Sequence, residues 1–298
     1  MSLFDQLVDE ALKNRRELAS LRVVVEKELL HHDILRVLSS SGMLASLTFI
    51  GGTCLRACYG SNRLSEDLDF TGGSEFNRDS LAAMGQTLVA SLKSKYGLEI
   101  DVSEPSREQG NVDTWKLKVQ TRPGRKDLPA QRINIDVCAI PSYQSRPMML
   151  LNPYGVEMGT GGLILQAETR EEIFADKLVA FALRPNRIKN RDLWDMAWLH
   201  QQGVKPQLDL IPQKLKDHKT DAQQFLHLFD ARCAQLNTDT KLALEFRREM
   251  QRFLPSELVI KTVNQSMFWE FITQLVDALS IQTRQALAGE RVATVFQM

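Results

Sequence analysis

The chain has 298 residues, 43% hydrophobic and 25% charged, the profile of an ordinary globular protein with apolar material for one large or two modest domains. Lys plus Arg and Asp plus Glu both total 37, which excludes a global positive field that would draw in nucleic acid; any such binding must come from a local patch. No apolar run approaches the ~18 residues of a membrane span, and the expected location is the cytoplasm.

From Leu3 to about Ser41 apolar residues recur near helical spacing with acids and bases between them, which predicts helix ending at Gly42. His31 and His32 read as helix surface. "LASLTFIGG" then reads as a short buried strand running into a glycine turn, "TCLRACYG" as a helix closed by Gly60, and "LSEDLDF" as a second strand. Further on, "LEIDVSE", "TWKLKVQTR" and "QRINIDVCAI" alternate polar with apolar residues, as strands of a mixed or antiparallel sheet with one face on a core. "NPYGVEMGTGGLI" reads as irregular.

After it the pattern turns helical. Thr169 to Glu172 forms a T-x-x-E capping box before "REEIFADKLVAFALR", and Asn190 is placed to cap "DLWDMAWLHQQG". Trp194 and Trp198 lie at helical spacing and are expected in a core. The remainder is mostly helical. The predicted organisation is an N-terminal helical segment over 1–44, a sheet core over 45–165 and a helical domain over 166–298. Cys54, Cys58, Cys138 and Cys233 lack the close paired spacing of a zinc site and are expected as reduced core residues.

The stretch "FIGGTCLRACYGSNRLSEDLDF" carries the chemistry. On a strand, Asp67 and Asp69 would share a face, and two adjacent carboxylates raise each other's pKa unless a cation joins them. Carboxylate oxygens suit Mg²⁺, which shares its remaining positions with substrate phosphates. Gly51 and Gly52 let backbone approach a phosphate at a helix N-terminus, with the Thr53 and Ser65 hydroxyls nearby. Arg63 reads equally as a phosphate contact and as an arginine fixing the loop.

With "GGTCLRACYG", "RLSEDLDF", "DKLVAFALR" and "NRDLWDMAWL", residues 45 to 200 resemble the AbiEii/AbiGii toxin family, which includes the MenT toxins. That family lies in the nucleotidyltransferase superfamily related to DNA polymerase β. The resemblance implies an α+β fold: a nucleotidyltransferase-fold mixed sheet flanked by helices, with a helical C-terminal region. It implies Asp136 in "INIDV" as a third metal acid beside Asp67 and Asp69, Lys177 as a phosphate contact and Asp192 as a downstream motif acid. Read without it, Asp136 is a strand acid paired with an arginine such as Arg132, Lys177 is a snorkelling lysine, and Asp192 is an acid favoured by its helix dipole. Asp195 is the next candidate for the Asp192 role. Cys54 departs from the family pattern, where a small apolar residue is expected.

The implied function is Mg²⁺-dependent transfer of a nucleoside monophosphate from an NTP to an RNA acceptor, expected at the 3′ end of a tRNA. Such an enzyme would be the toxin of a type IV toxin–antitoxin system in phage defence, restrained by a cognate antitoxin. Asp136 or Asp192 would take the acceptor's proton. Two basic clusters offer RNA contacts or a solvated surface: Arg184, Arg187, Lys189 and Arg191, and Arg122, Arg125, Lys126 and Arg132. The competing expectations are transfer to a protein hydroxyl or small molecule, and a non-catalytic binding protein that retains the fold.

Overall fold

The structure is a computed structural model describing residues 2–105, 111–122 and 129–289. These divide into two units. The first runs to Glu168 and includes Phe253–Ser256; the second holds Thr169–Arg252 and resumes at Glu257.

The first unit opens with α1 (Leu3–Asn14), a 3₁₀ stretch (Arg16–Leu21) and α2 (Arg22–Ser40). The single helix expected from Leu3 to Ser41 is therefore broken. At the break, Asn14 Nδ2 and Arg15 Nη1 donate to the carbonyls of Tyr154 and Pro153, far away in sequence, at 3.0 and 2.9 Å, anchoring the end of α1. Next come β1 (Thr48–Ile50), α3 (Gly51–Tyr59), β2 (Leu68–Thr71), α4 (Met84–Tyr96), β3 (Glu99–Ser103), β4 (Val112–Gln120), β5 (Gln131–Cys138), β6 (Ser145–Met149) and β7 (Ile164–Glu168). Gly60, in the left-handed region at φ +77°, ends α3 as expected.

The seven strands form one mixed sheet in the order β3-β4-β5-β2-β1-β7-β6, with β1 parallel to β7, β2 parallel to β5 and the other neighbours antiparallel. Alternation in β4 and β5 buries Trp115, Leu117, Val119, Ile133, Ile135 and Val137 on one face. That face continues into Leu68 and Phe70 of β2 and Phe49 of β1, whose rings stack at 5.0 Å. β6 and β7 escaped the sequence reading. β6 is an edge strand with Pro147 and almost no burial, so it lacks alternation, and β7 follows directly on an irregular glycine-rich stretch.

α2 departs most from expectation. His31 and His32, read as surface, are 4% and 5% exposed, and Glu26, Glu28 and Asp33 are buried with them. α2 packs against α1, α4 and β5, so its polar residues are buried and find polar partners there. Asp33 accepts from Lys95 at 2.7 Å, from Arg36 at 3.2 Å and from the Tyr96 hydroxyl.

The second unit contains α5 (Arg170–Leu183), α6 (Asn190–Gln201), α7 (Ile211–Asp217), α8 (Ala222–Thr238), α9 (Thr240–Met250), most of α10 (Ser256–Lys261) and α11 (Ser266–Leu287). The Thr169 hydroxyl caps α5, accepting from the Glu172 N–H at 3.3 Å. Asn190 is not the cap of α6. It lies in the first turn, behind Lys189, and its amide donates to Glu249 at 3.0 Å. Trp194 and Trp198 are buried, as their spacing predicted.

Candidate active site

The sheet register builds the centre of the site. Asp69 of β2 pairs with Asp136 of the parallel β5 on one side and with Ile50 of β1 on the other, and Asp136 pairs with Thr114 of β4. Directly opposed residues project from the same face, so the Asp69 and Asp136 carboxylates stand side by side. Their neighbours in sequence, Leu68, Phe70, Ile135 and Val137, are buried on the core side. The hydrophobic alternation that anchors β2 and β5 thus forces both acids onto the opposite face, where each is only half-buried.

Asp67 reaches this row differently from the expectation. It was placed on the strand with Asp69, but β2 begins at Leu68 and Asp67 lies in the bend before it. Its Oδ1 accepts from the Asn134 N–H of β5 at 3.0 Å, which ties the bend to the strand carrying Asp136.

The glycine turn meets these acids. β1 runs into α3 at Gly51, whose φ of +73° lies in the left-handed region. A Cβ there would stand 3.2 Å from Asp69 Oδ2. Glycine is therefore what lets the Asp69 carboxylate lie against the first turn of α3. No side chain caps that helix, whose preceding residue is Ile50, and its first N–H groups have the polarity that favours an anion. Gly52 is buried in the same turn. The Thr53 hydroxyl hydrogen-bonds both the Ser65 hydroxyl and the Asp67 carbonyl, so this pair links α3 to the loop before β2. Arg63 is buried and donates to the Leu64 carbonyl at 3.0 Å, the loop-fixing arrangement.

A metal ion is implied by the family resemblance, and the chemistry of the donors suits one: Asp69 and Asp136 are neighbours by register, Asp67 is tied to β5, and all three offer hard carboxylate oxygens.

Lys177 and Asp192 belong to the second unit, where they are partners. Lys177 Nζ, buried on α5, lies 2.5 Å from Asp192 Oδ1 and 2.9 Å from Asp195 Oδ2, and Arg184 reaches Asp192 at 3.1 Å. Burial pushes the Asp192 carboxyl up, but Lys177, Lys189 and Arg184 outweigh it and hold the group well below the ordinary carboxylate range. The basic segment around it is largely engaged. Arg191 approaches Glu249 at 3.5 Å, burial lowers the Lys189 ammonium, and Arg187 is exposed. In the other basic cluster Arg122 pairs with Glu26 and Arg132 is exposed; Arg125 and Lys126 lie outside the described residues.

The sequence reading missed the residues that hold the Ser61–Asp67 loop from α2. Lys27 Nζ meets Glu66 at 2.9 Å, Glu28 accepts from the Ser65 N–H at 2.8 Å, and His31 Nε2 lies 3.0 Å from the Glu66 carbonyl. Their one sequence signal is their spacing, which places 27, 28 and 31 on one side of a helix.

The model of the family described as "Nucleotidyl transferase AbiEii toxin, Type IV TA system" matches residues 33–277. Among solved structures the chain is similar to MenT4, the nucleotidyltransferase toxin Rv2826c of Mycobacterium tuberculosis H37Rv. They share 16% identity at a TM-score of 0.57, over 97% of this chain and 99% of that one. It is also similar to JHP933 from Helicobacter pylori, with 21% identity and a TM-score of 0.47 over 89% of this chain and 94% of that one. No curated protein matches the sequence. No described helix is long and apolar enough to cross a membrane.

Proposed function

Because the chain belongs to the AbiEii nucleotidyltransferase toxin family of type IV toxin–antitoxin systems, we propose that Asp67, Asp69 and Asp136 are the metal-binding centre of its nucleotidyl transfer, with an RNA 3′ end, that of a tRNA, as acceptor. The observation that carries this reading is the register of Asp69 with Asp136 beside the Gly51 turn.

Mg²⁺ held by the three carboxylates would supply positive charge to the phosphates of the bound NTP. The chain's own residues do the rest. The N–H groups at the start of α3, from Gly51 to Thr53, receive phosphate oxygens. Gly51 lets the Asp69 carboxylate lie against that turn, and the Thr53–Ser65 link keeps the turn and the Asp67 bend in one arrangement. The acceptor hydroxyl attacks the α-phosphorus, its oxygen forms the new P–O bond, and the bond to the bridging oxygen breaks as pyrophosphate leaves with the electron pair. Asp136 takes the hydroxyl proton. Asp192 is the poorer base, because a carboxyl held so low retains little proton affinity. We assign Lys177 and Asp192 a shared role as the charge-paired motif of the helical unit.

An RNA acceptor is supported by the face that carries Asp136. Lys116 pairs with Asn134 and Lys118 with Arg132, so three exposed cations continue the row away from the acids along β4 and β5. Such a strip suits a phosphate backbone. The antitoxin of the system is the expected restraining partner.

The test is incubation of the purified protein with Mg²⁺, each α-³²P-labelled NTP and total tRNA, beside an Asp67→Ala, Asp69→Ala control. Label on tRNA that disappears in the control is the expected result. Absence of label with every NTP, from folded protein, would remove the tRNA acceptor.

A further inference from the structure

The loop from Ser61 to Asp67 delivers Asp67 to β5, yet only its last residues touch the sheet acids. Its shape is set from behind by α2 and α3. Glu28 is 5% exposed, and its Oε1 accepts from the Ser65 N–H at 2.8 Å. The same carboxylate receives Arg56 Nε at 3.1 and 3.2 Å and the Tyr154 hydroxyl. Arg56, also buried, donates Nη1 to the Ser61 carbonyl at 2.8 Å. One buried ion pair therefore grips both ends of the loop: Arg56 the carbonyl at Ser61, Glu28 the N–H at Ser65. One turn along α2, His31 Nε2 sits 3.0 Å from the Glu66 carbonyl, and Lys27 holds the Glu66 carboxylate at 2.9 Å. Ser65 then passes the constraint on, its hydroxyl meeting the Thr53 hydroxyl that bonds the Asp67 carbonyl.

We propose that Glu28, with Arg56, is a positioning residue that presents Asp67 to the metal site, and that Lys27 and His31 are its auxiliaries. The inference rests on the metal-binding reading of Asp67, Asp69 and Asp136. Lys27, Glu28 and His31 all precede residue 33, where the family match begins, so the device is read from this chain's own contacts. A neutral amide at position 28 keeps the volume but loses the charge facing Arg56 and one of the acceptors shared by Ser65, Arg56 and Tyr154. The loop then gains freedom around Ser65 while the sheet acids stay in register. Residues that orient metal ligands typically govern affinity by about 10- to 100-fold when replaced.

Mn²⁺ is the probe, titrated into full-length protein and followed by water-proton relaxation, for wild type, Asp69→Ala and Glu28→Gln, with folding checked by circular dichroism. The expected result is binding in wild type, its loss in Asp69→Ala, and binding about tenfold weaker in folded Glu28→Gln. Nucleotidyl transfer by folded Glu28→Gln should recover as Mn²⁺ is raised. Wild-type affinity in folded Glu28→Gln overturns the positioning role and leaves the metal site standing. Equal binding in wild type and Asp69→Ala overturns the metal site itself, and the inference with it. Should Glu28→Gln not fold, Lys27→Met decides: weaker Mn²⁺ binding supports the device, and unchanged binding overturns it.

Discussion

Two pairs of aspartates in this molecule meet the same electrostatic problem in different ways. In the helical unit, Asp192 and Asp195 are 3% and 0% exposed and share the ammonium of Lys177. In the sheet unit, Asp69 and Asp136 stand side by side by register and remain half-buried. The first pair is enclosed with its counter-ion, because charge out of water must be matched inside the protein. The second pair stays within reach of solvent, as the proposed metal site requires. Accessibility, more than the proximity of the acids, distinguishes the two pairs.

The two pairs should respond in opposite ways to substitution. Asp69→Asn should cut nucleotidyl transfer on the order of 10³-fold, about 4 kcal/mol of transition-state stabilisation, with the melting temperature unchanged or raised. Lys177→Met should do the reverse to folding. It leaves two carboxylates buried without the cation they share, so a loss of about 3 kcal/mol is expected in urea unfolding. A large stability loss in Asp69→Asn, or none in Lys177→Met, would collapse the distinction.

Acid should also distinguish the two units. His32 is buried with its ring nitrogen on the Thr160 hydroxyl at 2.9 Å. Burial, opposed by Glu28 and Asp33 and reinforced by His31 and Arg56, lowers it from 6.5 to about 4. The unfolded chain therefore takes up this proton first. Stability is complete above pH 6.5 and falls as pH drops from 6.5 to about 4, by up to roughly 3 kcal/mol. Asp192, held well below the ordinary range, keeps its pairing with Lys177 through the same window. Hydrogen exchange followed by mass spectrometry from pH 7 to pH 4 should show protection lost in the sheet unit before the helices around Lys177. His32→Gln should flatten the sheet unit's response.

How much was legible in the sequence follows the same physics. The alternation in "QRINIDVCAI" was enough to find β5 and to put Asp136 on its polar face, because a two-residue period survives in any sheet with one buried face; only the family resemblance joined Asp136 to Asp67 and Asp69. The Gly51 turn was legible because it needs a conformation that only glycine adopts easily. α2 was misread because helical spacing with interspersed charge looks the same whether those charges meet water or buried partners. Only the fold brings Arg56, Tyr154 and Ser65 to Glu28, from 28, 126 and 37 residues away. The bend at Asp67 reads as strand because D-x-D fits a strand's period, and nothing local marks the hydrogen bond from the Asn134 N–H that holds Asp67 just before the strand.

The smallest expected effect falls at Gly51, where stability and activity should separate. Alanine there must adopt φ near +73°, a conformation costing L-residues about 1 kcal/mol, and chemical denaturation should show a loss of that size. Its methyl would also stand 3.2 Å from Asp69 Oδ2, closer than carbon and oxygen ordinarily pack. The carboxylate at the end of a short side chain gives way more cheaply than the β1–α3 backbone, so the displacement falls on Asp69. Transfer should therefore drop by more than the roughly fivefold that 1 kcal/mol represents, with the loss seen as a rise in the metal concentration needed for half-maximal rate. Alanine at Gly73, equally left-handed at φ +75° but with nothing within 4 Å of its Cβ, carries the same backbone cost and should leave that metal dependence as it is. If the two variants lose activity equally, backbone strain alone accounts for Gly51, and its closeness to Asp69 has no part in the chemistry.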